Sequence, residues 1–101
     1  MVAMRPVQVA DKQPIAVEIE LPKTHLQILV GKRGYLMCGA LDVRLLDERL
    51  SDRQIVAARA VGVKSIDDLL DAPLQDVTKA AETLGIHRGM RGREAILRLM
   101  D

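Results

Sequence analysis

The residues most able to do chemistry cluster where a predicted strand runs into a predicted helix, at Cys38, Gly39 and Asp42. Backbone N–H groups in the first turn of a helix lack intrahelical partners, and the helix dipole adds partial positive charge there. A thiolate at Cys38, or a bound carboxylate or phosphate, would be stabilised at such a position. The alternative is structural: Cys38 is a small buried hydrophobe, Gly39 permits a tight turn and Asp42 is an ordinary first-turn acid.

Arg59 is the second candidate, because it lies in an otherwise apolar segment, residues 56–61. A charge among apolar side chains needs a partner, since burying it alone is costly. Either Arg59 pairs with a carboxylate such as Asp42 or Glu18, or it faces a cleft and binds an anionic group through its planar fork. One hypothesis is therefore that Arg59 and the three residues above form a single pocket for a small anionic metabolite.

Cys38 also supports a competing hypothesis, a thiol-dependent enzyme in which Cys38 is the nucleophile. His25 could activate the thiol if the third and fourth strands place both residues on one face of the sheet. A third hypothesis is a structural protein that self-associates as a homo-oligomer through an uncovered sheet face or helix edge. The sequence leaves open whether the protein is an enzyme.

The residues give little support for a metal or a nucleotide cofactor. His25, His87 and Cys38 lack the spacing of a metal site, so we expect no metal. Gly89 and Gly92 lie in a basic segment that superficially resembles a phosphate-binding loop, but it lacks the Gly-Lys-Ser/Thr ending of a P-loop. The alternative is that both glycines are turn and cap residues. We expect no cofactor.

Composition restricts the function classes further. Fifteen Lys and Arg against 14 Asp and Glu give a formal charge of +1, and a single tyrosine, Tyr35, is the only aromatic residue. Nucleic-acid binders usually concentrate basic charge on one face or present several aromatics for base stacking. No apolar run approaches the ~20 residues of a membrane span, and the N-terminal segment lacks a signal-peptide core. One cysteine excludes an internal disulfide. We therefore expect a cytoplasmic protein that binds neither nucleic acid nor membranes.

Hydrophobic periodicity predicts a sheet followed by helices within one domain, residues 1–101. Alternating apolar residues predict an antiparallel meander of four strands, over residues 2–9, 15–21, 25–30 and 35–38. From Gly39 the apolar period lengthens to about 3.6, which predicts a helix. Residues 54–63 are apolar on both faces and predict a buried strand. A strand, a helix and a strand in succession form a crossover, which places the last strand parallel to a neighbour.

The C-terminal part of the chain predicts three further helices. Ser65 and Asp68 form a capping box that opens a helix over residues 66–71. A proline at the first turn suggests a second helix over residues 73–84, and a third begins at residue 91 or 92. The predicted fold class is α+β: a two-layer α/β sandwich with an antiparallel meander, one crossover strand and helices in the C-terminal half.

Five stretches of the chain together resemble the YunC-like family of small uncharacterised bacterial and archaeal proteins. They are Leu21-Pro22-Lys23-Thr24, Gly34-Tyr35 with Met37-Cys38-Gly39-Ala40-Leu41-Asp42, Arg59-Ala60-Val61-Gly62-Val63, Leu69-Leu70-Asp71-Ala72-Pro73-Leu74 and Gly89-Met90-Arg91-Gly92-Arg93-Glu94-Ala95. These stretches are spread over nearly the whole chain. The resemblance implies a two-layer α/β sandwich and, because the family is a domain of unknown function, it assigns no catalytic role to any residue.

Overall fold

The computed structural model describes residues 1–39 and 55–101. Within these ranges, six strands form one mixed sheet in chain order: β1 Val2–Pro6, β2 Ile15–Leu21, β3 Thr24–Val30, β4 Tyr35–Cys38, β5 Ala57–Ala60 and β6 Asp76–Val77. Three helices are described in the C-terminal half: α1 Ile66–Asp71, α2 Lys79–Glu82 and α3 Gly92–Leu99. The predicted helix after Gly39, and with it Asp42, falls outside the described residues.

The first four strands form the predicted antiparallel meander. β2 and β3 make its longest ladder, from Ile15 paired with Val30 to Leu21 paired with Thr24. The chain reverses between them in two residues, and Lys23 adopts a left-handed φ of 63° to allow it. β1 ends at Pro6, three residues before the predicted end. The α+β fold class is confirmed.

The predicted crossover strand is also confirmed. β5 lies parallel to β4, with Met37 beside Arg59 in the register. Parallel neighbours require a crossover connection that leaves the sheet at one end and re-enters it at the opposite end, in contrast to the tight turns of the meander. β5 is shorter than predicted, four residues in place of the segment 54–63.

The described helices and one face of the sheet share a single core. Alternate strand residues, among them Leu29, Leu36 and Ala58, pack in one cluster with helix residues such as Leu69 and Ile96. We call this face of the sheet the helix-side face. The second face carries the intervening strand residues, including Met37 and Ala57, which are buried in a separate cluster. Because successive strand residues point to opposite faces, the register assigns every strand residue to one of the two.

Helix α1 begins as predicted, with a small change in its cap. The Ser65 hydroxyl accepts a hydrogen bond from the Asp68 backbone N–H over 3.1 Å. The Asp68 carboxylate accepts from the backbone N–H of Lys64, one residue before the position expected for a capping box. Both side chains therefore fix the loop before α1.

The predicted helix over residues 73–84 is wrong. In its place the chain forms the short strand β6, antiparallel to β5, followed by the one-turn helix α2. Two side-chain interactions explain the difference. Arg59 of β5 binds Asp76, and the buried Thr78 hydroxyl accepts hydrogen bonds from Ala57 N–H in β5 and Ala81 N–H in α2. These tertiary bonds hold the segment extended until Thr78 caps α2.

Candidate functional site

The structure does not bring Cys38 and Arg59 together. Cys38 lies beside Ala60 in the parallel ladder, and Arg59 lies beside Met37. Ala60 belongs to the helix-side core and Met37 to the cluster on the second face. Because side chains alternate between faces along a strand, Cys38 faces the helix side and Arg59 the second face. The four-residue pocket with Asp42 stays a prediction that this arrangement does not support.

Arg59 is held by a carboxylate of the same sheet. Its Nε donates to Asp76 Oδ2 over 2.9 Å, and its Nη2 donates to the same oxygen. The two side chains are 21% and 28% exposed, so the pair is partly buried. Of the two partners considered from sequence, Glu18 instead pairs with Arg5 at 3.1 Å and Asp42 lies outside the described residues. Arg59 thus has the structural role of joining β5 to β6.

Cys38 is buried, with 3% of its surface exposed. Its Sγ lies 3.9 Å from the backbone carbonyl oxygen of His25, a weak S–H contact. The imidazole of His25 instead pairs with Glu20, with 3.2 Å between Nε2 and Oε1. A thiol nucleophile needs solvent access and a base in contact, and the described residues supply neither for Cys38. Catalysis by Cys38 stays a prediction.

Gly39 follows Cys38 where β4 ends. A Cβ atom there would lie 3.1 Å from Cγ1 of Val61, which is tighter than ordinary packing allows. The glycine therefore accommodates the close approach of Val61, a different reason for glycine from the tight turn expected from the sequence.

A small cavity of about 180 Å³ lies on the helix-side face of the sheet, near the hairpin between β2 and β3. Its polar lining comes from three elements: Glu18 and Glu20 of β2, His25 and Gln27 of β3, and Lys64 and Ser65 before α1. This volume is below the range of about 300–1,000 Å³ that is typical of ligand pockets. It suits a small metabolite better than a drug-sized ligand.

Gln27 is the most unusual residue of this lining. It is 3% exposed, and its Nε2 donates to the Lys64 carbonyl oxygen over 3.4 Å. Its Oε1 is buried without a hydrogen-bond partner among residues 1–39 and 55–101. Leaving a buried acceptor unpaired costs about 1–3 kcal/mol, so most buried polar atoms are paired. Gln27 therefore lines the cavity and holds a buried acceptor that is unpaired among the described residues.

Sequence reasoning missed Gln27, although a signal was present. β3 alternates, and Gln27 shares the helix-side face with Leu29, a core residue. An amide at an inward position of a half-buried strand is unexpected, because such positions are usually apolar. The sequence analysis selected His25 and Cys38 as candidate residues and did not select Gln27.

The charged groups of the described cavity lining differ in whether they form ion pairs. Glu20 pairs with His25, and Glu18 pairs with Arg5. The Lys64 ammonium makes no ion pair within the described part of the chain. Glu18 is thus paired with a cation, and Glu20 contacts an imidazole ring. A negatively charged group would be favoured near Lys64.

The described residues also bear on metal binding and on membrane insertion. No group of three His, Cys, Asp or Glu side chains is arranged to hold a metal ion there. None of the helices that the structure describes has the length and apolar character needed to cross a membrane.

The sheet topology and the single helical layer described define a compact α+β sandwich domain. A crystal structure of a protein of unknown function from Thermoplasma acidophilum has the same fold, with a TM-score of 0.86 and 27% sequence identity over 98% of this chain and 93% of that one. The fold is therefore shared with a chain of diverged sequence.

Sequence comparison identifies relatives of this domain that are more similar in sequence. Residues 37–99 match the family described as "Domain of unknown function (DUF1805)". The "Uncharacterized protein YunC" of Bacillus subtilis (strain 168) is 55% identical over 100 residues, which cover 99% of each chain. The chain belongs to the YunC-like family of DUF1805 domains, and the function of that family is not established.

Proposed function

We propose that this protein is a small-ligand-binding module whose site is the cavity lined by Gln27 and Lys64. The observation that carries the proposal is the unpaired Oε1 of a side chain that is 3% exposed and lines a cavity. A ligand that donates a hydrogen bond to this oxygen would recover the stability that the empty protein gives up. The ligand is still an anion, as predicted from sequence, but its site is this cavity and not the predicted pocket at Cys38 and Arg59.

The charges around the cavity favour an anionic ligand. Lys64 has a flexible stem and a compact ammonium, which suit it to a carboxylate or phosphate group at the cavity mouth. Glu18 and Glu20 are occupied by Arg5 and His25. Glu18, which is paired with Arg5, repels an anion less than a free carboxylate would.

The ligand class follows from the two contacts together. One part of the molecule donates an N–H or O–H to Gln27, and another part carries negative charge for Lys64. With a cavity of about 180 Å³, this describes a hydroxy- or amino-substituted small acid. Such a site recognises the hydroxyl or amine strongly, because its absence leaves the buried acceptor unpaired.

The test uses two probes that differ in one hydroxyl group. Glycolate carries a hydroxyl donor next to its carboxylate, and acetate lacks it. Each is titrated into ¹⁵N-labelled protein at fixed ionic strength while NMR follows the side-chain amide of Gln27 and the backbone amides of Lys64 and Ser65. We expect saturable shifts at these residues, at least several-fold tighter for glycolate than for acetate.

Two variants assign the effect. Gln27→Leu should abolish the preference for glycolate, and Lys64→Met should weaken the binding of both probes. Gln75→Leu, at an exposed position outside the cavity, is the control and should bind as the parent protein does. Equal, non-saturating shifts for both probes, or shifts that survive Gln27→Leu, would overturn the proposed site.

A further inference from the structure

The second face of β1, β2 and β3 is apolar and open to solvent. Its outer residues are exposed, Val2 and Met4 most of all: Val2 at 63%, Met4 at 69%, Ile15 at 36%, Leu21 at 49% and Val30 at 39%. The register places all five on the same side of the sheet as Met37. We call this surface the apolar sheet patch.

The positions inside the patch are apolar too. Val17, Ile19, Leu26 and Ile28 lie between the exposed residues and are partly buried. The helix-side face of the same strands carries Arg5, Glu18, Glu20 and His25 instead. An antiparallel sheet usually turns its apolar side to the core and its polar side to water. Here the face away from the helix-side core is apolar, so exposing it to water is unfavourable.

We infer that this patch is a contact between two copies of the chain, which pack their sheets face to face. Such packing needs two flat apolar faces whose side chains interdigitate across about 10 Å, and two copies supply two identical ones. The patch includes no charged residue, so a two-fold contact brings no like charges together. The formal charge of +1 adds little long-range repulsion between copies.

The size of the patch sets the strength of the contact. Three strands spaced 4.8 Å apart, with about 3.4 Å per residue, give a face of roughly 24 by 14 Å. Each copy would bury on the order of 500 Å² of accessible surface, for a total near the lower limit of about 1,000 Å² for specific interfaces. The contact is therefore a reversible dimer whose population rises with concentration.

The test is sedimentation velocity over a concentration series. The parent protein should shift from monomer to dimer as concentration rises. Met4→Lys places a charge within the contact and should shift the apparent dissociation constant by at least tenfold toward monomer. Gln75→Lys adds the same charge at an exposed position outside the patch and should sediment as the parent does.

Circular dichroism melting of each variant shows whether it folds. If Met4→Lys loses its fold, Val2→Lys, also at an exposed patch position, replaces it. A parent protein that is monomeric at every concentration overturns the inference. A dimer that persists unchanged in the folded lysine variant also overturns it, because pairing along the free edge of β1 would leave side chains on the face unaffected.

Discussion

The Gln27 side-chain amide donates to the Lys64 carbonyl oxygen over 3.4 Å, which ties the middle of β3 to the loop before α1. The bond is long, and it satisfies only half of a buried amide, since Gln27 Oε1 has no partner in residues 1–39 and 55–101. A leucine of similar volume would fill the same position without an unpaired atom. The amide is thus unfavourable for stability in the ligand-free protein.

The first prediction concerns that stability. We expect Gln27→Leu to raise the free energy of unfolding of the ligand-free protein by about 1 kcal/mol, because removing a buried unpaired acceptor outweighs one weak hydrogen bond. Urea unfolding measures the change. Gln27→Glu should act in the opposite direction, since it buries a carboxylate. A loss of 2 kcal/mol or more in Gln27→Leu, on the scale of about 1–3 kcal/mol for buried polar groups, would show that the amide is structural.

The second prediction concerns the thiol. Because Cys38 is 3% exposed, we expect iodoacetamide to alkylate it far more slowly in the folded protein than in urea-unfolded protein, by at least a hundredfold. Mass spectrometry of samples quenched over time gives both rates. A folded-state rate close to the unfolded one would restore Cys38 as a candidate nucleophile.

The strands were predictable because half-buried strands alternate, and β2 and β4 match the predicted ranges residue for residue. The structure of residues 73–84 was not predictable in this way, because a proline and an apolar stripe are equally typical of a helix start and of an extended segment. What decides between them is contact with β5: Asp76 with Arg59, and Thr78 with Ala57. Partners far along the chain are invisible to periodicity.

The candidate site was likewise predictable where it depends on local sequence and unpredictable where it depends on distant contacts. The sequence identified Arg59 as needing a carboxylate, which the structure supplies from Asp76. It could not show that Cys38 and Arg59 face opposite sides, because this depends on the register between β4 and β5. Nor could it show that Gln27 lacks a partner, since hydrogen-bond satisfaction depends on the folded surroundings.

The third prediction concerns the ion pair between Arg59 and Asp76. We expect Asp76→Asn to lower the free energy of unfolding by about 1–3 kcal/mol, since it weakens a charge-assisted bond that is partly buried. The control is Asp71→Asn at the exposed pair with Arg93, where the expected loss is less than about 0.5 kcal/mol. Parallel urea titrations compare the two. Equal losses would mean that the partly buried pair contributes no more than a surface one.

The fourth prediction concerns the start of α3. A Cβ atom on Gly92 would lie 2.0 Å from the Leu69 backbone carbonyl oxygen, so the helix backbones must move apart to admit it. We expect Gly92→Ala to cost roughly 3 kcal/mol or to prevent folding. Gly89 has a φ of 87° and open space around its Cα, so Gly89→Ala should cost only about 1–2 kcal/mol of backbone strain. Thermal unfolding ranks the pair, and the reverse order would contradict the packing role of Gly92.

The fifth prediction concerns Thr78, which joins β5 to α2 through one oxygen. Its Oγ1 accepts from Ala57 N–H over 3.1 Å and from Ala81 N–H over 3.2 Å, in surroundings where Thr78 is 1% exposed. Thr78→Val keeps the shape and removes the acceptor, so two amide groups lose their partner. We expect a loss of about 3 kcal/mol, while Thr78→Ser, which keeps the oxygen, should lose about 1 kcal/mol.

Hydrogen exchange gives Thr78 a second, local readout. If one oxygen holds both elements, the amides of Ala57 and Ala81 should exchange faster in Thr78→Val by a similar factor, beyond the change that global destabilisation produces in the core amides of α3. In Thr78→Ser both should stay protected. Faster exchange at Ala81 alone would show that Thr78 acts only as the cap of α2, and that the ladder of β5 is held by its neighbouring strands without the hydroxyl.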